Sequence, residues 1–566
     1  MFAVSPTSPP LETVIARRLV CTFGIALIVL AALSCSKSEA ADTYRVRLDP
    51  AARTEPATGR IVLFFITETR RPFDRRDPIE GPFFEKPQPI ASIAVKDFKG
   101  GDVATLDGSS LAWPASLDTL EGKVRVQAIL DADQITRSHE QGTGNVYSDV
   151  VEADLSSKRD DTVEITLRHR IDARPPRPET DNLKWVELRS EMLSAFYGYD
   201  VFHRAGVALP QGWGDPANPR TQWPAVYWIP GFGGRDEEAA EYSEMLLAPG
   251  VEEIAPIAVY VCLDADAPLG HHGFCDSASN GPRGEALVKE FIPYLEDRFH
   301  LVAKPEARIV TGHSSGGWSS LWLQLTHPET FGACWSRSPD PVDFSCFQMT
   351  DIYSEKNMFA QPDESETPSY RNWTSPSTQS VLMTVRQENG MEHAVDPDGR
   401  SGQQWDAWEA MFSPRDDKTG LPQPMFDPLT GEIHKAVVEN WKRFDMARLI
   451  ENDWQKYGPI MLQRVRLACG EEDSYYLNRA VAKLKERIDN LQKQHPLPAG
   501  DGYILLVPRA DHSTVVPMTY QRWNKEMRDY LQHLGLQDAD APKPKKNAPG
   551  TSCSSVCSIT TCTPRG

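Results

Sequence analysis

The sequence predicts a mostly parallel β-sheet flanked by helices, preceded by an all-β sandwich-like domain. Three observations predict this arrangement. From about residue 181 onward, short strands that are apolar throughout alternate with helical patterns, which is typical of a parallel sheet. Residues 41–172 instead carry strands in which apolar and polar residues alternate. A length of 566 residues with 40% hydrophobic content is enough to fill two cores.

The first 40 residues have the pattern of a signal peptide. Two arginines precede an apolar run over residues 19–33, which is short for a membrane span but typical of a signal-peptide core. Small residues before Ala40 predict cleavage near that position and export to the periplasm or the cell exterior. A lipoprotein anchored at Cys35 or an uncleaved anchor remains an alternative. No other apolar stretch is long enough to span a bilayer, so we expect no membrane association after cleavage.

The β-domain predicted over residues 41–172 has its clearest strands at 61–66, 124–130 and 163–167. A sandwich is the natural way to bury one face of such strands. Binding of a polysaccharide, shaping of the active site, dimerisation and packing alone all remain open as its role. A proline-rich linker at residues 173–180 is predicted to be stiff.

The second domain, residues 181–540, is predicted to open with an antiparallel hairpin between Trp185 and Val207. Its later strands are predicted at 224–229, 257–261, 307–311, 465–469 and 503–507. Helical apolar spacing is seen at 287–299, 318–325 and 477–491, and two further helices are predicted near 405–411 and 435–450. The long segment 339–458 is predicted to be a cap-like insertion, and residues 541–566 a disordered, Cys-containing tail.

A glycine-rich turn at residues 312–317 separates the predicted strand 307–311 from the helix that follows it. Its sequence, Gly-His-Ser-Ser-Gly-Gly, has the G-x-S-x-G spacing of a nucleophile elbow around Ser314. In such an elbow the serine backbone is strained, and the flanking glycines lie too close to neighbouring chain to carry a Cβ. The pattern therefore predicts Ser314 as a nucleophile.

A serine nucleophile needs a base, and the base needs an acid that orients it. The acid and the histidine are expected in this order along the chain after Ser314. Asp473 follows the strand 465–469 and the turn at Gly470, and His512 follows the strand 503–507, so both lie just past strand ends. We therefore predict Asp473 as the acid and His512 as the base. The competitors for the acid role are Glu471, Glu472 and Asp511.

An acyl transfer also needs hydrogen-bond donors aimed at the developing oxyanion. The residue after the nucleophile, Ser315, is predicted to supply one backbone N–H. The Pro-Gly-Phe-Gly-Gly turn at 230–234, which follows the strand 224–229, is predicted to supply the N–H of Phe232. Asp340, after the next strand, is interpreted as a residue that orients substrate or caps a turn.

These motifs, together with residues 284–295, resemble the putative-esterase family of the α/β-hydrolases over roughly residues 180–535. This branch includes esterase D-like enzymes, feruloyl and acetyl xylan esterases, and mycolyltransferases. The resemblance implies an α/β-hydrolase domain and a serine esterase that uses no metal and no cofactor. It also implies a catalytic triad and oxyanion donors at the matching positions: Ser314, Asp473 and His512, with Phe232 and Ser315. The segment 339–458 departs from the compact members of the family.

We therefore expect an exported serine esterase whose substrate is a small-molecule or polysaccharide-linked ester, with carbohydrate and phenolic esters favoured by the resemblance. An acyltransferase with the same acyl-enzyme is the first alternative, and a non-catalytic binding protein on a hydrolase scaffold is the second. The formal net charge of −19 argues against binding to nucleic acid or anionic lipid. The sequence does not predict the oligomeric state.

Export would permit disulfide bonds. The short spacings Cys262–Cys275 and Cys334–Cys346 make these pairs candidates, although spacing alone does not determine connectivity. His271, His272 and Cys275 have no recognised zinc-ligand spacing, so we interpret them as loop residues that line the substrate approach.

Overall fold

A computed structural model describes residues 43–68, 75–83, 86–133, 135–155, 162–373 and 379–537. The predicted signal peptide, including Cys35, and the predicted tail at 541–566 lie outside the described residues. Within the described part of the chain, no helix is long and apolar enough to cross a bilayer.

The predicted N-terminal β-rich region is present, and its described residues form nine strands. They are β1 (Thr43–Leu48), β2 (Ala57–Ile66), β3 (Ile90–Phe98), β4 (Val103–Leu106), β5 (Leu111–Trp113), β6 (Lys123–Asp131), β7 (Val146–Ser148), β8 (Val151–Asp154) and β9 (Thr162–Arg170). Hydrogen bonds join them in the order β4-β1-β9-β7-β6-β2-β3-β5, and β8 pairs with β6. Only the β1–β9 pair is parallel among these described strands.

Strand β2 is buried on both of its faces. Ile61, Leu63 and Phe65 enter a core that β1, β4, β6 and β9 also line. Val62 and Phe64 point the other way and pack with apolar residues of the segment 339–458. This two-sided burial explains why residues 61–66 are apolar without alternation.

The second domain begins with hairpin strands and continues as alternating strands and helices. Up to the strand after the elbow helix, its elements are β10 (Leu183–Arg189), α1 (Glu191–Tyr197), β11 (Phe202–Ala208), β12 (Ala225–Ile229), α2 (Ala239–Leu247), α3 (Val251–Ile254), β13 (Val259–Leu263), β14 (Asp266–Ala267), β15 (Gly270–His271), β16 (Asp276–Ser277), β17 (Gly281–Pro282), α4 (Arg283–Ala286), α5 (Ile292–Phe299), β18 (Arg308–His313), α6 (Ser315–Thr326) and β19 (Ala333–Arg337). Those that follow are β20 (Pro368–Trp373), β21 (Gln379–Thr384), α7 (Val385–Val395), α8 (Gln404–Phe412), α9 (Lys435–Trp441), α10 (Met446–Asn452), α11 (Trp454–Arg464), β22 (Val465–Gly470), α12 (Leu477–Gln494), β23 (Tyr503–Val507) and α13 (Val515–His533).

Eight of these strands form one sheet in the order β10-β11-β13-β12-β18-β19-β22-β23. Strand β11 is antiparallel to both of its neighbours, and all later pairs are parallel. The strand order reverses at β12, which lies between β13 and β18. In open sheets of this kind, ligands bind at the carboxyl ends of the strands near such a reversal. The loops after β12, β18, β19, β22 and β23 share this edge.

Helices cover both faces of the sheet, as the apolar strands predict. On one face, Trp318 of α6 and Leu484 of α12 join the larger core. On the other face, Leu246 of α2 and Trp523 of α13 pack against alternate residues of the same strands. The α/β domain is therefore a three-layer structure.

Three predicted elements differ from the structure in extent. The helix predicted over 435–450 is split, because the Asp445 side chain accepts from the N–H of Arg448 and caps a new helix, α10. The helix predicted over 287–299 is interrupted by a π-helical turn at Leu287–Phe291, just before Pro293, which lacks an N–H. The strand predicted from Tyr197 begins only at Phe202, because α1 ends at Gly198 with φ of 78°.

The segment 339–458 is a packed part of the α/β domain. Within it, all residues of α8 from Trp405 to Phe412 are buried. Ser92 of the N-terminal domain donates a 2.6 Å hydrogen bond to the carbonyl of Ala394 at the end of α7. The segment therefore joins the core of the α/β domain to the N-terminal domain, and its interpretation as a cap over Ser314 stays a prediction.

The linker at 173–180 is extended and fixed to the second domain. Both terminal nitrogens of Arg177 donate to the carboxylate of Asp236 at 2.7 Å. The guanidinium of Arg177 also lies 3.6 Å from the ring centroid of Trp185. A planar, bidentate contact of this kind restricts orientation as well as distance.

Neither candidate disulfide, Cys262–Cys275 or Cys334–Cys346, is formed, because all four residues are buried free thiols, as is Cys469. Cys262 lies inside β13 and Cys334 inside β19, and both residues are fully buried. The Cys275 thiol instead contacts the carbonyls of His272 and Met411. Burial raises the pKa of Cys334 to about 12, so this thiol is unreactive at neutral pH.

Candidate active site

Ser314 lies at the junction of β18 and α6 with φ of 59° and ψ of −126°. Positive φ is unfavourable for a residue with a Cβ, so the elbow holds this serine under strain. Its N–H donates to the carbonyl of Arg337 at the end of β19, at 3.0 Å. The side chain remains partly exposed at the carboxyl edge of the sheet.

The glycines around Ser314 stand where neighbouring chain leaves no room for a side chain. A Cβ at Gly312 would lie 2.3 Å from the carbonyl oxygen of Gly316, and a Cβ at Gly316 would lie 2.0 Å from that of Ile229. The close approach expected from the sequence is therefore confirmed. Gly231, in the turn after β12, is within van der Waals reach of the serine: a Cβ there would lie 3.2 Å from the Ser314 Cβ.

His512 and Asp473 meet at the same edge of the sheet, in the loops after β23 and β22. The distance between His512 Nδ1 and Asp473 Oδ2 is 2.8 Å. The other carboxylate oxygen accepts the backbone N–H of Tyr475 at 2.9 Å and that of Leu477 at 3.3 Å. When Nδ1–H donates to a carboxylate, Nε2 is left as the nitrogen that can accept a proton.

The contact between His512 and Asp473 changes the pKa of both residues. Burial alone would raise the pKa of Asp473, but the charge and hydrogen bond of His512 and the two backbone N–H donors lower it overall. Burial alone would lower the pKa of His512, but the charge and hydrogen bond of Asp473 and the charge of Asp340 raise it overall. The pair is thus arranged to stabilise a charged imidazolium.

The three competing carboxylates are placed differently from Asp473. Glu471 is exposed, and Glu472 approaches Arg371 to 3.8 Å. Asp511 accepts the backbone N–H groups of Ser513 and Thr514. Among the described carboxylates, Asp473 alone forms a hydrogen bond with the His512 ring.

Two aromatic contacts fix the plane of the His512 ring. It lies against His313, the residue before Ser314, with ring centroids 4.5 Å apart. Tyr475 packs edge-on against it at 4.8 Å. These contacts hold the histidine beside the elbow, so the structure brings the neighbourhoods of Ser314, Asp473 and His512 together.

The two predicted oxyanion donors lie in the turn after β12 and at the start of α6. Phe232 is in a tight turn in which the N–H of Gly234 donates to the carbonyl of Gly231 at 3.0 Å, and Gly233 has φ of 82°. Ser315 is the first residue of α6. The first N–H groups of a helix have no acceptor within the helix, and they carry the positive end of its dipole. Both backbone groups are therefore suited to a developing negative charge.

His271 supports the turn that carries Phe232. Its Nε2 lies 3.1 Å from the carbonyl of Pro230, and its Nδ1 accepts the N–H of Gly273 at 3.1 Å. Because Nδ1 accepts, Nε2 must carry the proton and donate to Pro230. Burial lowers the pKa of His271 to about 4, so it stays neutral in this role. Among the described residues, no group of three or more His, Cys, Asp or Glu side chains is placed to bind a metal ion.

Asp340 has a role that the sequence did not reveal. Its Oδ2 accepts both the Ser315 hydroxyl at 2.7 Å and the Trp408 indole N–H at 2.9 Å. It is 4% exposed and lies beneath the elbow. Its position just after the end of β19 indicated that it lies near the site, but its partner Trp408 on α8 is 68 residues away in the sequence. Burial raises the pKa of Asp340, although the Trp408 and Ser315 donors oppose this shift.

Substituting Asp340 by asparagine is expected to lower the pKa of His512, because its charge is one of those that raise the His512 pKa. The amide oxygen can still accept from Ser315 and Trp408, so the elbow should keep its geometry. The midpoint of the acid limb of kcat/KM should move to lower pH than in the wild-type protein. Trp408→Phe removes a donor to Asp340 but keeps the carboxylate. An equal downward shift in that variant would contradict the electrostatic explanation.

The segment 339–458 contacts the site at a second loop. The N–H of Arg371 in β20 donates to the carbonyl of Ser474, and its Nε donates to that of Asp473 at 3.3 Å. Arg371 thus fixes the backbone of the loop that carries the acid.

The sheet order, the strained serine at a strand-to-helix elbow and the histidine–aspartate pair together form the arrangement of a hydrolase. Residues 203–421 match the family model described as Putative esterase. This segment is an esterase-family domain. The matched range contains the turn at 230–234 and the elbow, and Asp473 and His512 follow it.

Several solved structures of esterases and hydrolases are similar to part of the chain. A ferulic acid esterase shares 13% identity, with coverage of 62% of this chain and 96% of its own and a TM-score of 0.35. The S-formylglutathione hydrolase of Agrobacterium tumefaciens shares 15% identity over 62% of this chain and 95% of its own, with a TM-score of 0.32. The ferulic acid esterase of Anaeromyces mucronatus, solved with ferulic acid, shares 13% identity over 63% and 95%, with a TM-score of 0.32. Likenesses at these TM-scores do not determine a substrate. Among curated proteins, none matches the chain.

Proposed function

We propose that the protein is a serine esterase that hydrolyses carboxylic esters through an acyl-enzyme. The observation that carries this proposal is the 2.8 Å hydrogen bond between His512 and Asp473, next to a strained Ser314 in a domain that matches an esterase family. A binding scaffold would have no need for a serine, a histidine and a carboxylate gathered at one strand edge.

In the first half of the reaction, Ser314 Oγ attacks the ester carbonyl carbon while His512 Nε2 takes the hydroxyl proton. Asp473 keeps the imidazole in the correct tautomer and stabilises its charged form. The N–H groups of Phe232 and Ser315 bind the oxyanion of the tetrahedral intermediate. The C–O bond to the alcohol then breaks, and His512 returns its proton to the leaving oxygen.

In the second half, water replaces the alcohol. His512 takes a proton from water as its oxygen attacks the acyl carbon, and the same two N–H groups bind the second oxyanion. Collapse breaks the bond to Ser314 Oγ, which recovers its proton from His512 and releases the carboxylic acid. Each step uses residues of this chain alone.

A fluorophosphonate probe tests the proposal, because it forms a covalent bond only with an activated serine. We expect the probe to modify Ser314, seen by mass spectrometry in the tryptic peptide 309–337. Hydrolysis of p-nitrophenyl acetate by residues 41–566 should cease after labelling. Absence of both labelling and turnover would favour the non-catalytic scaffold instead.

The pH dependence follows from the base. His512 must be neutral to accept the serine proton, and Asp473 raises its pKa above the ordinary value of 6.5. Activity should therefore be lost as the pH falls through a pKa higher than 6.5, and it should be fully present above it. The acid limb of kcat/KM for p-nitrophenyl acetate measures this pKa. A limb centred below 6.5 would contradict the assigned base.

Esters of carbohydrates or phenolic acids are the proposed substrates, on the basis of the family resemblance alone. Methyl ferulate and acetylated xylan are the first compounds to compare with p-nitrophenyl acetate. Adding an excess sugar alcohol distinguishes hydrolysis from acyl transfer, since a transferase would form a new ester in place of the free acid.

We also propose that the protein is exported and that residues 1–40 are removed. The arginine pair, the apolar run at 19–33 and the small residues before Ala40 support this. The N-terminal mass of the protein recovered from the producing cells tests it, since cleavage would leave a chain that begins at Ala41. A chain modified with lipid at Cys35 would instead support the lipoprotein alternative.

A further inference from the structure

A loop of the N-terminal β-domain reaches the turn that carries Phe232. This loop joins β6 to β7 and carries Arg137. The guanidinium carbon of Arg137 lies 4.7 Å from the centroid of the Phe232 ring. The contact connects two residues 95 positions apart and belonging to different domains.

Arg137 is closed in by its surroundings. Its side chain is 15% exposed. On the N-terminal side, the carboxylate of Asp133 accepts the N–H of Thr136 at 2.9 Å and fixes the turn before the arginine. On the other side, a Cβ at Gly402 would lie 2.5 Å from Arg137 Cγ, so the segment 339–458 packs directly on the arginine stem.

Asp266 connects Arg137 to the far end of the same turn. Arg137 Nε lies 3.5 Å from one carboxylate oxygen of Asp266, and Arg235 donates to the other oxygen. Arg235 directly follows Gly234, the last glycine of the turn. The turn is thus fixed at its start by His271, at its end through Arg235 and Asp266, and at its middle by Arg137.

This turn needs such support because of its composition. Gly231, Gly233 and Gly234 surround Phe232, and glycine gives a chain the largest choice of backbone conformations. Gly233 is exposed and adopts a φ of 82°. An oxyanion donor acts only if its N–H already points to the place where charge develops. Contact between the Phe232 ring and the buried Arg137 guanidinium restricts the conformation of Phe232, the residue whose N–H is predicted to donate to the oxyanion.

We propose that Arg137 is a positioning residue of the esterase, through which the N-terminal β-domain holds the Phe232 turn in its catalytic conformation. The expected effect on catalysis rests on the proposed function, whereas the contact between Arg137 and Phe232 does not depend on it. The guanidinium is engaged by Asp266 and by the Phe232 ring, so it acts on the turn rather than on substrate. Burial lowers the pKa of Arg137 to about 10, so the side chain is still charged at neutral pH.

The test compares Arg137→Met with Arg53→Met in the purified protein. Methionine keeps a long apolar stem but removes the charge and the guanidinium plane. Arg53 is a matched control from the same domain, because it donates to the carbonyls of Glu55 and Gly144. Amide hydrogen exchange of the peptide containing residues 230–236 reports the turn directly and does not depend on activity.

We expect faster exchange in residues 230–236 of Arg137→Met, with unchanged exchange in β18, and no change at either place in Arg53→Met. For p-nitrophenyl acetate, kcat should fall about 10- to 100-fold in Arg137→Met, because a misplaced catalytic group costs rates of this order. KM and the acid limb of the pH profile should stay unchanged, since the base is unaffected. Arg137→Lys should lie between the wild type and Arg137→Met.

Wild-type exchange and kcat in Arg137→Met would overturn the inference. Faster exchange spread over the strands of the N-terminal domain would overturn it as well, since it would show general loosening. If Arg137→Met does not fold, Arg137→Lys decides by the same two measurements. An inactive, unlabelled wild-type protein would refute the proposed function, whereas the exchange of residues 230–236 would still decide the contact.

Discussion

Replacing Ser314 by alanine is expected to reduce turnover of p-nitrophenyl acetate by about 10⁴-fold or more, to the rate of the uncatalysed background. The substitution deletes the attacking oxygen, and no other hydroxyl occupies the strained position between β18 and α6. The side chain is partly exposed, so its loss removes little buried volume. The melting temperature should therefore stay close to that of the wild type, which thermal unfolding monitored by circular dichroism measures.

Ser315→Ala is the matched control for this variant, because it removes the neighbouring hydroxyl from the same elbow. The Ser315 hydroxyl donates to Asp340 at 2.7 Å, and the substitution keeps the backbone N–H assigned to the oxyanion. We expect a loss of at most about tenfold. A larger loss in Ser315→Ala than in Ser314→Ala, or fluorophosphonate labelling that persists in Ser314→Ala, would show that the nucleophile is assigned wrongly.

The sequence predicted well those strands and helices whose ends are determined by the local pattern of residues. The strand β23 was predicted with the bounds observed, and β22 differs only in that it includes Gly470, which was predicted as a turn, because each is a short apolar run with a clear end. The break between α9 and α10 was missed, since it depends on one side chain that caps a backbone N–H. The π-helical turn before α5 was missed because the helical spacing of apolar residues continues through it.

The site was predictable to the level of motifs on strand ends. The G-x-S-x-G spacing selected Ser314, and chain order with the position after a strand selected His512, but neither could separate three consecutive acidic residues. That choice depends on which carboxylate points inward from the turn after β22, and only the 2.8 Å contact of Asp473 decides it. The role of Arg137 and the contacts of Asp340 were beyond prediction, because their partners are brought near by tertiary packing and leave no local pattern.

The cysteines show the reverse error, in which a local pattern suggested a contact that packing forbids. Short spacing made two disulfides plausible, yet Cys262 and Cys334 lie within central strands whose residues are buried throughout. A thiol in such a strand packs as a small apolar side chain. Two cysteines that are close in sequence can therefore lie far apart in the structure when one is in a strand and the other is in a loop.

Substituting Asp473 by asparagine is expected to lower kcat by about 10⁴-fold while leaving the fold intact. The amide nitrogen can donate to His512 Nδ1, which stabilises the tautomer whose Nε2 carries a proton and cannot accept one from Ser314. Loss of the negative charge also removes the main interaction that raises the pKa of His512. The remaining activity should therefore show an acid limb at lower pH, and the pH profile of kcat/KM measures this shift.

Glu472→Gln supplies the comparison that isolates the acid. It neutralises a carboxylate one residue away, in the same loop, whose nearby cation is Arg371 rather than His512. Glutamine keeps the size of Glu472, and the carboxylate that it replaces lies 3.8 Å from Arg371, so activity should stay within a few-fold of the wild type. If Glu472→Gln is the more damaging change, the loop must rearrange so that Glu472 orients the histidine in the working enzyme. The contact of Asp473 would then be a resting arrangement of the loop.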